Sequence, residues 1–181
     1  MALRPLTSYI TSHNASGQAI IHSTVPAQWV RYDDDSLAFD VVYTTSSFPV
    51  DLNGEADIKA HDDLLSSGKL RLVQPGGTVC RIVDFAPGNK ALIHRTKSLD
   101  YGVVLEGEVE MILDSGETVI LGRGDVAVQR GTMHGWRNTS ETEWLRMLFV
   151  LQDCRPVMAG GEVLGEDLAG SEIELSKKSE K

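Results

Sequence analysis

The run Pro87-Gly88-Asn89-Lys90-Ala91-Leu92-Ile93-His94-Arg95-Thr96-Lys97-Ser98-Leu99-Asp100-Tyr101-Gly102-Val103-Val104-Leu105-Glu106-Gly107 holds the residues on which the fold reading turns. A second run, Gly124-Asp125-Val126-Ala127-Val128-Gln129-Arg130-Gly131-Thr132-Met133-His134-Gly135-Trp136-Arg137-Asn138, complements it. Side chains alternate across a strand, so in an unbulged strand His94, Thr96, Asp100, Gly102 and Val104 face one way while Arg95 and Tyr101 face the other. By the same rule His134, Trp136 and Asn138 share a face. When such strands close into a small barrel, the inward face lines a cavity at the wider end. The parity therefore predicts that His94, Asp100 and His134 meet inside one barrel.

Outward from these runs, Gly and Pro punctuate the chain and short β-rich segments lie between them, the pattern of an all-β sandwich or barrel. Expected strands are Ala19 to Ser23, Leu37 to Tyr43, Thr78 to Phe85, Leu99 to Leu105, Glu108 to Leu113, Thr118 to Leu121, Val126 to Gln129 and Glu143 to Leu151. Leu105-Glu106-Gly107-Glu108 and Asp114-Ser115-Gly116-Glu117 each offer a glycine for positive φ and read as consecutive turns of one meander. Val50 to Ser67 is polar, with at most one helical turn's worth of pattern, and reads as a surface connection or arm. From Ala159 onward Gly, Glu, Lys and Ser dominate, so this stretch buries too little to offset its ordering entropy and is expected to be a mobile tail.

The two runs together resemble the motifs of the cupin superfamily. Gly88, His94, Asp100 and Gly107 fall at the first motif's spacing, with Thr96 where a second His is usual; Gly131, His134 and Asn138 match the second, with Gln129 in place of Pro and Gly124 one residue too close. The resemblance covers roughly Leu70 to Gln152 and implies an antiparallel jelly-roll β-barrel. The expected organisation is then an N-terminal arm and early strands over 1–69 that pack on the barrel or on a dimer partner, a cupin barrel over 70–158 and the mobile tail over 159–181. An arm of that length, and sheet edges that need cover, predict a homodimer.

The resemblance also implies an ion held by three His and one Glu. Thr96 removes one imidazole, and His94, Asp100 and His134 remain as the donor types of a two-His-one-carboxylate site, which suits Fe(II) with open positions. The expected cofactor is one divalent transition metal (Fe, Mn, Zn or Ni) or none. Without an ion, an imidazole titrating near 6.5 and a buried carboxyl can pass a proton at neutral pH. That chemistry suits a lyase or isomerase acting on a small organic acid or polyketide-like aromatic, with His94, His134 and Asp100 catalytic. A non-haem Fe(II) dioxygenase and a non-catalytic ligand-binding protein are the alternatives. Substrate-binding candidates are Thr96 by its hydroxyl, Trp136 by stacking, Arg81 as partner of a substrate carboxylate, and Asn138 beside His134 on its face.

Composition bounds the partners. The 181 residues include 17 basic and 26 acidic side chains, a formal charge of −9, with 41% apolar residues. An acidic chain without a Lys/Arg cluster is not expected to bind nucleic acid. No apolar run approaches the roughly 18 residues of a membrane span, and no secretory h-region is visible, so a cytoplasmic location is expected. Cys80 and Cys154 share no C-x-x-C spacing and read as ordinary thiols.

Overall fold

Short strands separated by turn residues bury one face each by packing sheet on sheet. In the computed structural model, which describes residues 3–32 and 35–168, they do so around one interior. The chain opens with the antiparallel hairpin β1 (Thr7–His13) and β2 (Ala19–Pro26), followed by β3 (Val30–Tyr32) and β4 (Leu37–Thr45). A 3-10 turn at Asn53–Glu55 leads into α1 (Ala56–Ser67). Next come β5 (Thr78–Phe85), β6 (Ser98–Glu106), β7 (Glu108–Leu113), β8 (Thr118–Gly122), β9 (Val126–Arg130), β10 (His134–Asn138) and β11 (Leu145–Asp153). The hairpin β12 (Val157–Ala159) and β13 (Glu162–Leu164) closes the described chain.

The order β3-β4-β5-β11-β6-β9 makes a six-stranded antiparallel sheet and β10-β7-β8 a three-stranded one facing it. This is the expected antiparallel jelly roll. Alternation sends Val83 and Phe85 of β5, Leu145, Met147 and Phe149 of β11, and Val104 of β6 inward, against Val109, Leu121 and Trp136 of the smaller sheet. Each large apolar side chain so buried contributes about 1.5–3 kcal/mol. Phe149 stands opposite both Arg81 and Gly102. A Cβ at Gly102 would lie 2.9 Å from Cε1 of Phe149, so the ring's place depends on that glycine.

Three expectations need correction. The Gly107 turn does not join paired strands: β7 pairs with β8 and β10, so the chain crosses there from the larger sheet to the smaller, and only the Gly116 turn closes a hairpin. The segment read as a polar connection contains the 12-residue α1, ended by Gly68 in the left-handed conformation. Its apolar stripe is weak, and specific contacts hold it: the backbone N–H of Thr44 donates to Nδ1 of buried His61 at 3.1 Å, and Tyr43 donates to Asp57 at 2.6 Å. The early strands β3 and β4 belong to the larger sheet. The expected tail begins as the β12–β13 hairpin, after which Asp167 exchanges backbone hydrogen bonds with Arg95 and Leu168 packs on the core. Residues 169–181 of that tail lie outside the described residues.

Asp84 and Arg146 are directly opposite in the β5–β11 register and form a buried two-pronged pair, each prong 2.6 Å. Nη1 of Arg146 reaches the carbonyl of Arg4 at 2.6 Å, and the guanidinium lies 5.1 Å from the Trp29 ring centroid. The pair thus ties the N-terminal segment to the barrel. Arg146→Met leaves a buried carboxylate without its partner and is expected to cost about 3–5 kcal/mol in denaturant unfolding. A loss below about 1 kcal/mol, the ordinary value of an exposed pair, would contradict this role.

Candidate active site

His94 precedes β6 and His134 opens β10, and the backbone N–H of each donates to the other's carbonyl at 2.9 Å. The approach needs Gly135, where a Cβ would stand 2.6 Å from Ile93 Cδ1 and 3.1 Å from the Leu92 carbonyl. The bridge sets the imidazoles beside each other, ring centroids 4.7 Å apart and planes tilted by 49°. Nδ1 of His94 lies 3.0 Å from the Leu92 carbonyl and Nδ1 of His134 lies 2.9 Å from the Thr132 carbonyl. A carbonyl only accepts, so each Nδ1 carries a proton, and in the neutral ring that leaves the lone pair on Nε2. His134 is buried, and desolvation, followed by the neighbouring His94, lowers its pKa to about 4.

Asp100 projects from β6 into the same space. Oγ1 of Thr96 donates to its Oδ2 at 3.1 Å, and Oγ of Ser98 donates to Oγ1 of Thr96 at 2.8 Å. Oδ1 is buried without a partner. Burial raises the carboxyl's pKa, against the opposing pull of the two hydroxyls, His94 and Arg81. These groups line a cavity with about 660 Å³ of empty volume, open solvent at its mouth included. Its walls are largely apolar, among them Phe39, Phe85, Trp136 and Phe149. Trp136 meets His134 edge-on at 5.5 Å and Phe149 at 5.6 Å.

His94, His134, Asp100, Thr96, Trp136 and Arg81 therefore line one cavity. Asn138 does not belong with them. Its amide donates to the carbonyls of Phe85 (3.2 Å), Ala86 (3.3 Å) and Glu143 (2.7 Å), and its Oδ1 accepts from Ser140 N–H at 3.0 Å. Asn138 clamps loops, and its expected substrate contact is withdrawn. Sequence reasoning passed over three contributors. Ser98 shares the parity of Thr96 and Asp100, a signal that was available. Asn89 is buried and fixes β10 by donating to Trp136 O at 3.1 Å. Lys90 lies exposed among the lining residues, on a loop without strand pattern.

The ion that the fold implies was tested against these donors. Asp100 spends Oδ2 on Thr96, and among the described residues no three His, Cys, Asp or Glu side chains converge as an ion-binding group. His94, His134 and the free Oδ1 of Asp100 are the donor types of a facial triad, but as they stand they are not gathered closely enough to hold an ion. Cys80 and Cys154 are free thiols, and burial raises the pKa of each.

A family model described as a cupin domain matches residues 81–151. Phomopsin biosynthesis cluster protein D of Diaporthe leptostromiformis is 47% identical over 90% of this chain and 86% of its own length. Oryzines biosynthesis cluster protein J of Aspergillus oryzae is 41% identical over 88% of this chain and 89% of its own. The cupin-domain-containing oxidoreductase virC of Hypocrea virens is 40% identical over 86% and 80%. With one barrel, both motifs in register and relatives matched over nearly their whole length, this chain belongs to the cupin family.

Proposed function

We propose that the chain is an enzyme of a small-molecule biosynthetic pathway that catalyses proton transfer, as a lyase or isomerase (decarboxylase, dehydratase or cyclase type), on a small organic acid or polyketide-like aromatic inside the barrel. One observation carries the reading: two imidazoles with committed Nδ1 protons and free Nε2 lone pairs stand beside a carboxyl held toward its protonated form, within apolar walls. Half-buried His94 takes the substrate proton at Nε2. Asp100 returns one from Oδ1, the oxygen that Thr96 leaves free. His134 accepts a hydrogen bond from a substrate hydroxyl at Nε2, and its low proton affinity keeps the two rings from both becoming cationic. Relatives named for biosynthesis clusters support the pathway setting.

A second reading, an oxidoreductase, is favoured by the name of the 40% identical relative virC. The two separate by mass. When the gene is deleted in its host and the accumulated intermediate is given to the purified protein, the product is expected to be isomeric or to lack water or carbon dioxide, at equal rates under air and argon. His94→Asn and His134→Asn are expected to slow that conversion at least ~100-fold with the fold intact. A product with added oxygen or fewer hydrogens, or a conversion requiring Fe(II) that binds wild type and neither variant, would overturn the reading.

The His134 environment predicts a pH dependence of stability. Its folded pKa of about 4 lies below the unfolded value near 6.5, so the unfolded chain binds the extra proton between these values. Stability is therefore complete above pH 6.5 and falls as pH drops toward 4, by roughly 3 kcal/mol in all. His134→Gln is expected to flatten this part of the unfolding profile; an unchanged profile would contradict the assignment.

A homodimer belongs to the same proposal. The β1–β2 hairpin leaves Tyr9 (66%) and Ile21 (57%) exposed, and an isolated two-stranded hairpin is marginal in water. A second copy covering it is the expected occupant. Light scattering should give twice the chain mass, and Tyr9→Ser/Ile21→Ser should give the chain mass; a monomeric wild type would contradict this.

A further inference from the structure

Among the described residues two arginines are almost wholly buried, Arg81 at 2% exposure and Arg146 at 3%, and they are treated in opposite ways. Arg146 has a carboxylate built against it, as described for Asp84. Arg81 has none within ion-pair distance. Its Nη2 donates to the carbonyls of Leu72 at 2.7 Å and Arg71 at 3.2 Å, while Nε and Nη1 are buried without a hydrogen-bond partner among the described residues. Burial lowers its pKa only to about 10, so it stays charged at neutral pH. A chain with 26 acidic residues has the means to neutralise an interior cation and does not do so here. A buried charge without a partner is costly, and a ligand that pairs with it recovers the cost.

The surroundings say which ligand. Arg81 lines the cavity that holds His94 and His134, with Lys90 exposed among the same lining residues. Two cations thus face one carboxyl, Asp100, in a chain whose formal charge is −9. The walls beside Arg81 are aromatic: Phe39 has its ring centroid 5.8 Å from the guanidinium carbon, and Phe149 stands opposite Arg81 in register. We infer that this end of the cavity is an anion subsite, in which Arg81 binds the carboxylate of an aromatic acid whose ring lies along Phe149 and Trp136, turning its reactive carbon toward His94 and His134. Only the last clause rests on the proposed function; recognition of the anion does not. Nε and Nη1 are the guanidinium donors left for the acid, since Nη2 is held by the carbonyls of Leu72 and Arg71. Guanidinium suits a planar carboxylate better than ammonium does, because its N–H groups are fixed in one plane.

The test uses benzoate and benzyl alcohol, matched in ring and differing in charge, titrated into the full chain. The Nε–H resonance of Arg81 in the wild-type protein is expected to move and saturate with benzoate and to stay in place with benzyl alcohol. Benzoate is expected to bind at least ~10-fold more tightly than the alcohol, and Arg81→Met, checked for its fold by circular dichroism, is expected to bind the two alike. If Arg81→Met does not fold, Arg81→Lys is read in its place, with benzoate affinity expected to fall about 5-fold or more because the planar fork is lost. Equal binding of both probes by the wild type, an unmoved Arg81 resonance, or unchanged benzoate affinity in the variant read would overturn the inference. A protein that discriminates benzoate through Arg81 yet shows no proton-transfer chemistry would sink the proposed function and leave the subsite standing.

Discussion

The pairing of His94 with His134 is the constraint on which the site depends. Two residues far apart in the chain exchange backbone hydrogen bonds at 2.9 Å, and each then turns its Nδ1 to a carbonyl two residues upstream. Nothing in that arrangement is left to side-chain flexibility. The backbone bridge fixes where the rings are, the carbonyls fix which nitrogen is protonated, and Gly135 leaves room for the loop that delivers His94. The two sheets do the rest by placing β6 and β10 on opposite walls, so that Asp100 comes from one side and His134 from the other.

Electrostatics divides the molecule into parts with different purposes. On the β5–β11 pair the chain builds one complete interior ion pair, Asp84 with Arg146, and uses it to hold the N-terminal segment. Inside the barrel it leaves groups incomplete: Oδ1 of Asp100 and Nε and Nη1 of Arg81 have no partners. Low dielectric makes such groups expensive at rest and strong when engaged. A satisfied pair is a fastening, and an unsatisfied one is a place for chemistry or binding. The same contrast separates Asn138, which fills its hydrogen-bonding capacity with loop backbone, from Thr96, whose hydroxyl is aimed at Asp100 in the cavity.

The barrel was legible in the sequence because period-2 alternation and the spacing of Gly88, His94, Asp100, Gly107, Gly131 and His134 are local features that a jelly roll uses directly. Parity alone placed His94, Thr96, Asp100, His134 and Trp136 on inward faces. It failed for Asn138 because parity gives the side of a strand, while the end of a strand can look inward and still be consumed by loop carbonyls. Helix α1 was missed for the opposite reason: its stability comes from Thr44, Tyr43 and His61 meeting across the chain, and its own pattern is nearly featureless. The Gly107 turn was misread because a glycine at positive φ (+87°) serves a crossover between sheets as well as a hairpin. Whether Asp100 completes an ion site was also beyond the sequence, since donor type says nothing of where Thr96 would point.

The site rests on two imidazoles that each donate from Nδ1 to a backbone carbonyl, and nitrogen NMR of the histidine rings in the full chain reads that state directly. The predicted result at neutral pH is that His94 and His134 are both Nδ1–H tautomers with unprotonated, uncoordinated Nε2, unchanged when a chelator is added. Resonances showing Nε2 bonded to a metal ion, or carrying the ring proton in place of Nδ1, would contradict it.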